Sequence, residues 1–212
     1  MLTLLSILLV SYLLGSIPTG IIAGKVLKRI DIRDYGSGNA GFTNAYRVLG
    51  LAPALSVLAV DLAKGMVAVL VVTKIMIDVP VLGMDVLRIL AGVFAILGHI
   101  WTVFAGFRGG KGVGTAAGVL VALAPTEIAL AVAVWCVVTF STRYVSLGSL
   151  SAAVVLPLVL FVEKVVLSKA VSDELLIFTS LLAGLIFFTH RSNISRLLRG
   201  QENKLTRLSK AD

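Results

Sequence analysis

The chain has 212 residues, of which 58% are hydrophobic and 14% are charged, and its net charge at pH 7 is +8. Globular domains contain about 45–50% apolar and about 25% charged residues, so this composition predicts one bundle of membrane helices and excludes a separate soluble domain. In so hydrophobic a chain, the basic excess indicates membrane topology and argues against a nucleic-acid partner. The single cysteine, Cys136, excludes an internal disulfide and a cysteine-rich metal site.

Apolar stretches predict about seven membrane-spanning helices. The first has no basic segment before it, which favours a span kinked at Pro18 over a cleaved signal peptide. A span needs about 20 apolar residues, so the fourth is expected to be short or partly re-entrant. The predicted spans are residues 2–24, 51–72, 85–105, about 112–124, 126–140, 145–162 and 175–189, followed by a basic tail over residues 190–212.

Lysines and arginines divide unequally between the two ends of these spans. Fourteen lie on the side of the first loop and four on the opposite side, while Lys64 lies inside a span. Basic residues accumulate in cytoplasmic connections, so this predicts an external N-terminus and a cytoplasmic C-terminus. The fourteen are Lys25, Lys28, Arg29, Arg33, Arg47, Arg108, Lys111, Arg143, Arg191, Arg196, Arg199, Lys204, Arg207 and Lys210.

Residues 36–47, Gly-Ser-Gly-Asn-Ala-Gly-Phe-Thr-Asn-Ala-Tyr-Arg, form the first polar segment. Amide and hydroxyl groups beside one arginine suit a phosphate-bearing ligand, because glycines admit close backbone approach and N–H groups at a helix start attract anions. No strand precedes the Gly-x-Gly-x-x-Gly pattern, which argues against dinucleotide binding. A solvated loop that ends a span is the alternative interpretation.

Residues 106–118 form a second glycine-rich segment. Its core, Arg108-Gly109-Gly110-Lys111-Gly112-Val113-Gly114-Thr115, resembles a phosphate-binding loop but lacks the Ser or Thr that follows lysine in a Walker motif. Gly110, Gly114 and Gly118 lie four residues apart, which also predicts a close helix crossing. Both interpretations can hold together.

Charged and histidine side chains mark further candidate positions. Asp61 and Lys64 lie three apart in an apolar helix and predict either a mutual ion pair or, as we favour, a lysine held by the aspartate toward an anionic site. His99 and His190 end two spans, where a structural hydrogen bond is commoner than catalysis. Two separated histidines and one cysteine do not predict a metal site. We expect residues 36–47, 106–118, 143–149 and 190–202 to build one site at the cytoplasmic boundary.

With these segments assembled, the whole chain resembles the PlsY family, the bacterial acyl-phosphate:glycerol-3-phosphate acyltransferases. The resemblance rests on several motifs in order, and it departs from the family pattern only at Phe42, Gly114 and Gly148. The motifs are Gly36-Ser37-Gly38-Asn39 with Thr43-Asn44 and Arg47; Asp61-Leu62-Ala63-Lys64-Gly65; Gly109-Gly110-Lys111-Gly112-Val113 with Thr115 and Gly118; Thr142-Arg143-Tyr144-Val145-Ser146-Leu147; and His190-Arg191-Ser192-Asn193-Ile194 with Arg196-Leu197 and Gly200-Gln201-Glu202.

The resemblance implies a single all-α membrane domain over residues 1–212 that transfers a fatty acyl group from acyl phosphate to the 1-hydroxyl of glycerol 3-phosphate. Lysophosphatidic acid and phosphate would be the products, in phospholipid synthesis at the bacterial inner membrane. The resemblance implies membrane lipid as the surroundings, with no metal, no cofactor and no nucleic-acid partner. We expect a monomer. Some spans would be short or broken by glycine-rich loops, with the active site facing the cytoplasm.

We expect catalytic roles for six residues, namely Ser37, Arg47, Lys111, His190, Asn193 and Glu202. We expect substrate phosphate to be bound by Gly36, Gly38, Asn39, Asn44, Lys64, Gly109, Gly110, Gly112, Thr115, Arg143, Ser146 and Ser149, with Asp61 and His99 in support. In this hypothesis Arg47 and Ser37 hold the acyl phosphate, Lys111 holds glycerol 3-phosphate, and the two assignments could be exchanged. Asn193 would orient a reacting carbonyl or hydroxyl.

Other mechanisms and protein classes compete with this hypothesis. Direct attack by the glycerol hydroxyl, with substrate phosphate accepting its proton, is the favoured mechanism, and His190 or Glu202 is the alternative base. A transporter of a small phosphorylated metabolite would need polar groups at both faces and usually paired repeats, which the outer connections do not suggest. A structural scaffold would leave the polar segments unexplained.

Overall fold

The computed structural model describes residues 1–205, all of which lie in helices, turns or loops. Two of the basic residues predicted to be cytoplasmic, Arg207 and Lys210, lie outside the described residues. The described α-helices are α1 (Leu2–Gly15), α2 (Thr19–Lys28), α3 (Phe42–Leu49), α4 (Leu51–Leu70), α5 (Met84–Ile100), α6 (Val113–Leu123), α7 (Pro125–Thr142), α8 (Val145–Val165), α9 (Asp173–Thr189) and α10 (Arg191–Leu198).

Five segments of the described chain are long and apolar enough to cross a membrane: Leu2–Lys28, Leu51–Lys74, Met84–Ala105, Pro125–Thr142 and Val145–Val165. They match five of the predicted spans, so the all-helical membrane architecture is confirmed. The bent pair α9 and α10, with an angle of 62°, raises the number to six if it forms one span. Helix α6 has only 11 residues, in keeping with the short fourth span. Seven spans and their orientation stay predictions.

The helices group into two compact units, residues 1–123 and residues 124–205. In the first unit, α4 packs against α3, α5 and α6, and α1 packs against α5. In the second unit, α8 packs between α7 and α9, and α10 adjoins the end of α9. Helix α10 occupies the start of the predicted basic tail. The single domain predicted over residues 1–212 stays a prediction.

Glycines allow the helices of the first unit to approach closely. A Cβ added at Gly118 of α6 would collide with the Leu62 carbonyl of α4, and one added at Gly65 of α4 would collide with the Thr115 carbonyl of α6. Small residues of this kind bring membrane helices together where apolar side chains gain little by leaving lipid. The helix-crossing interpretation of Gly118 is therefore confirmed.

Pro18 separates α1 from α2, as the sequence predicted for a kink. A proline cannot donate a backbone hydrogen bond, so the helical bonds of α1 do not continue through this position. Thr102 donates its hydroxyl to the Ser16 carbonyl, and the Lys64 ammonium donates to the Ile17 carbonyl at 3.0 Å. Side chains from α4 and from the end of α5 thus stabilise the break.

The opposite end of the first unit is held by Asp78. Its carboxylate accepts hydrogen bonds from the backbone N–H groups of Leu2 and Thr3, both at 2.9 Å, which belong to the first turn of α1. The Met1 ammonium, 2.6 Å from the same carboxylate, and then these bonds hold the pKa of Asp78 well below its usual range. Asp78 therefore caps α1 from the connection between α4 and α5.

Candidate functional site

Asn44 shapes the first polar segment from inside the first unit. Its side-chain oxygen accepts from the Ser37 N–H at 2.8 Å, and its amide donates to the carbonyls of Ile32 at 2.8 Å and Tyr35 at 3.1 Å. The backbone turns at Gly36 and Gly38 through positive φ angles of 62° and 73°, which other residues rarely adopt. Asn44 is buried, so the observed contacts give it a loop-ordering role, and its predicted contact with phosphate stays a prediction.

Helix α3 presents Arg47 from the end of this segment. One face of α3 packs Ala45 and Leu49 into a buried cluster with Ile32 and Val57. At the start of the helix, the Asn39 side chain accepts from the Gly41 N–H at 2.9 Å. Arg47 itself is only 8% exposed, whereas Ser37 is half-buried at the turn. The only strongly basic side chain of the segment is therefore held on a packed helix.

Arg33, which was not singled out in the sequence, joins the two glycine-rich segments. Its guanidinium pairs with Asp31 at 2.7 Å and also donates to the carbonyls of Ala105 at 3.0 Å and Arg108 at 2.9 Å. The hydrogen bond from Arg33 lowers the pKa of Asp31 below 3.8. The two carbonyls that Arg33 binds lie more than 70 residues away in the chain. In the sequence, only the local Asp-x-Arg spacing could therefore have suggested that Arg33 has a structural role.

The second glycine-rich segment lies against the end of α5. The N–H groups of Gly109 and Gly110 donate to the carbonyls of Ile100 at 3.0 Å and His99 at 3.1 Å. These amides therefore pair with the last carbonyl groups of α5, and a phosphate could bind the amides only if those hydrogen bonds broke. Gly112 turns through a φ of +85°, and the half-buried Lys111 precedes it.

Thr115 and Gly114 lie on the side of α6 that faces α4. The Thr115 hydroxyl is fully buried and, among the described residues, has no hydrogen-bond partner. A Cβ added at Gly114 would lie 3.2 Å from the Cβ of Asp61. The packing role of this side of α6 is clear, and phosphate binding by Thr115 stays a prediction.

Asp61, Lys64 and His99 form a buried polar cluster. The Lys64 ammonium lies 2.8 Å from Asp61 Oδ1 and 3.2 Å from His99 Nδ1. Thr19 donates to the same aspartate oxygen at 3.2 Å. With the Ile17 carbonyl as a further partner, Lys64 has neighbours for all three of its donors. The structure thus contains the mutual ion pair that the sequence left open, and a contact between Lys64 and phosphate stays a prediction.

In the second unit, the Glu202 carboxylate collects three donors. Ser146 donates to Oε1 at 3.1 Å, Asn193 donates to the same oxygen at 2.7 Å, and the Arg196 guanidinium pairs with Oε2 at 2.8 Å. The Glu202 side chain is only 4% exposed. This geometry connects the start of α8 with α10 and orients the Asn193 amide.

The other predicted residues of this unit lie at the turn between α7 and α8. Arg143 ends α7 with a positive φ of 65°, is exposed, and accepts the Leu205 N–H on its carbonyl at 2.7 Å. The Ser149 hydroxyl donates to the Val145 carbonyl at 3.0 Å and accepts from the Trp135 indole at 3.3 Å. The Ser149 proton is therefore already used within the protein.

His190 follows α9 and is buried, with Nδ1 2.8 Å from the Ile186 carbonyl. A carbonyl only accepts, so Nδ1 carries the proton, and in the neutral ring Nε2 is the nitrogen with basic character. Across residues 1–205, no three His, Cys, Asp or Glu side chains group in a way that could hold a metal ion. Independence from metal stays a prediction.

Comparison with known proteins gives concordant matches. The family model described as glycerol-3-phosphate acyltransferase matches residues 5–200. A glycerol-3-phosphate acyltransferase of Chlorobium limicola is 47% identical over 97% of this chain and 98% of that protein. One from Chlorobium chlorochromatii is 45% identical with the same coverage.

Two crystal structures share the fold. Both are of PlsY (YgiH), an integral membrane glycerol 3-phosphate acyltransferase, and both are 36% identical to this chain. The glycerol 3-phosphate form has a TM-score of 0.84 and covers 96% of each chain. The lysophosphatidic acid form has a TM-score of 0.81 and covers 95% of this chain and 94% of that one.

Proposed function

The chain belongs to the glycerol-3-phosphate acyltransferase family, and we propose that it transfers a fatty acyl group from acyl phosphate to the 1-hydroxyl of glycerol 3-phosphate. The observation that carries this proposal is the near full-length match to a structure in its glycerol 3-phosphate form. The products are lysophosphatidic acid and inorganic phosphate. The protein works as a multi-pass protein of the inner membrane with its site toward the cytoplasm.

Two anionic substrates require cationic side chains that lie close to glycine-rich backbone, which a phosphate group can approach. In the first unit, Arg47 lies on α3 and Lys111 lies within the second glycine-rich segment. Arg33 hydrogen-bonds the connection before Ser37 to Ala105 and Arg108, at the start of the segment that contains Lys111, so the two cations belong to one connected framework. In our proposal Arg47 and Ser37 bind the acyl phosphate, and Lys111 binds the phosphate of glycerol 3-phosphate.

The reaction needs no nucleophile from the enzyme, because an acyl phosphate is already an activated mixed anhydride. The 1-hydroxyl oxygen forms a bond to the acyl carbon, the bond from that carbon to the phosphate oxygen breaks, and phosphate leaves. The hydroxyl proton passes to the departing phosphate. Holding two like-charged substrates together and offsetting their repulsion then supplies most of the rate acceleration.

The second unit supports this choice of proton acceptor. The Glu202 carboxylate accepts three hydrogen bonds from within its own unit, including one from an arginine. A base so engaged would have to give up those bonds in every turnover, which argues against the Glu202 alternative. Glu202 instead orients Asn193, whose amide we propose contacts a reacting carbonyl or hydroxyl, and His190 Nε2 stays the alternative base.

A reconstituted assay tests the function directly. Purified protein in lipid vesicles receives acyl phosphate and isotopically labelled glycerol 3-phosphate, and chromatography follows labelled lysophosphatidic acid. We expect stoichiometric phosphate release without added metal and no product from acyl-CoA as the only donor. A well-folded sample that forms no product from acyl phosphate would overturn the proposal.

A further inference from the structure

The connection that follows α5 displays large apolar side chains. Trp101, Val103, Phe104 and Phe107 are 39%, 40%, 61% and 59% exposed, and the exposed Arg108 follows them. We call residues 101–108 the aromatic loop. It directly precedes the Gly109–Lys111 backbone and overlaps the second glycine-rich segment at residues 106–108.

The backbone of the aromatic loop is tightly held. Tyr12 donates to the Trp101 carbonyl at 2.6 Å, and the Phe107 N–H donates to the Thr102 carbonyl at 2.8 Å. Arg33 binds the carbonyls of Ala105 and Arg108. Phe107 adopts a positive φ of 59°, which is costly for an aromatic residue and persists only where surrounding contacts enforce it. The fold therefore fixes the loop while leaving its aromatic side chains uncovered.

We propose that the aromatic loop is an anchor that inserts into the headgroup region of the lipid bilayer. The candidate span Met84–Ala105 ends within the loop, so the loop lies where that span leaves the apolar layer. Aromatic side chains with an adjacent arginine match this region, since the rings occupy the apolar boundary and the guanidinium pairs with lipid phosphate. Lipid thus covers the loop, and a second copy of the chain does not.

The anchor has a consequence that rests on the proposed function. Gly109 and Gly110 follow the loop and bond to the end of α5, so fixing the loop at the boundary also fixes the depth of the adjacent Lys111. Lys111 binds glycerol 3-phosphate in our proposed function. Weakening the anchor should therefore weaken the binding of glycerol 3-phosphate and leave the binding of acyl phosphate unchanged.

Tryptophan fluorescence measures the depth of the loop without any reference to catalysis. The chain has two tryptophans, so Trp135→Phe leaves Trp101 as the only reporter and Trp101→Phe leaves Trp135. The two proteins are placed in vesicles whose lipids carry bromine either close to the headgroup or near the chain ends. We expect shallow bromines to quench Trp101 roughly twofold more than deep ones, as for interfacial aromatic side chains. Trp135 lies within the candidate span Pro125–Thr142 and serves as the deeper reference.

A paired variant tests the consequence. Phe104→Ser combined with Phe107→Asn removes both rings while keeping a residue that tolerates positive φ at position 107. We expect KM for glycerol 3-phosphate to rise about fivefold with KM for acyl phosphate unchanged, because Lys111, which binds glycerol 3-phosphate in the proposed function, is no longer held at a fixed depth. Val79→Ser, at a position 85% exposed in another connection, is the control and should leave both constants unchanged.

Each outcome decides the proposal. Quenching of Trp101 that is weak at both depths, or strongest at the deep position, overturns the anchor, as does an equal rise in both KM values. Weak quenching together with a dimer in light scattering identifies a second copy as the occupant and overturns it too. Shallow quenching in a protein that forms no lysophosphatidic acid upholds the anchor and overturns the proposed function.

Discussion

At the scale of single residues, the structure separates side chains that order loops from those able to meet a substrate. Asn44 and Glu202 belong to polar motifs, yet each has its hydrogen-bonding groups occupied within its own unit. Lys64 has a buried partner in Asp61. Removing one member of a buried ion pair costs about 3–5 kcal/mol, so activity lost on changing Lys64 would report folding as much as substrate binding.

Arg47→Ala tests the proposed phosphate contact. We expect turnover to fall at least about a hundredfold with folding retained, because the side chain stabilises charge on the reacting phosphate. Steady-state rates of the purified variant check this, with thermal unfolding as the measure of folding. Arg88→Ala removes an arginine that makes a long 3.4 Å contact to Asp85 and should keep normal activity. Near-normal turnover in Arg47→Ala would contradict the assignment.

Arg33→Gln tests the link between the glycine-rich segments through its dependence on pH. The folded pKa of Asp31 is lowered by Arg33, so the pair stabilises the protein above pH 3.8 and loses its effect as the pH falls further. We expect the variant to be less stable near pH 7 by on the order of 1–2 kcal/mol. Urea unfolding in detergent across this range should show the wild-type and variant curves converging at acid pH. A constant difference would contradict the role of Asp31.

At the scale of helices, close approach decides which glycines are replaceable. Gly118 meets the backbone of α4, so a methyl group there must push two helices apart. At Gly184 in α9, no atom of the described residues counted as a neighbour lies within 4 Å of the position where a Cβ would lie. The two positions are matched in residue type and differ only in their packing.

Gly118→Ala should therefore destabilise the protein, by about 1–3 kcal/mol as is usual for overpacking. Gly184→Ala should be neutral or slightly stabilising, because alanine favours a helix by at most about 1 kcal/mol over glycine. Unfolding of both variants in the same detergent provides the comparison. Equal effects at the two positions would show that the α4–α6 crossing is not tightly packed.

At the scale of the whole molecule, the orientation in the membrane rests on charge distribution. The predicted cytoplasmic side carries the C-terminal segment, whereas Lys164 and Lys169 lie on the predicted outer side. In a Cys136→Ala background, Ser168→Cys should react with an impermeant maleimide added to intact cells, while Arg199→Cys should react only after permeabilisation. Both positions are exposed. Labelling in the opposite order would reverse the topology.

The amino-acid sequence alone determined the membrane class, five of the spans and the family. These follow from local composition, from residue chemistry and from motifs that are continuous in the sequence. Only the tertiary structure decided that Arg33 joins two glycine-rich segments, that Gly109 and Gly110 extend the end of α5, and that Lys64 faces Asp61 and His99. Folding decides which acceptor each hydrogen-bond donor meets, and apart from Asp61, three residues from Lys64, these acceptors lie on other elements of the chain.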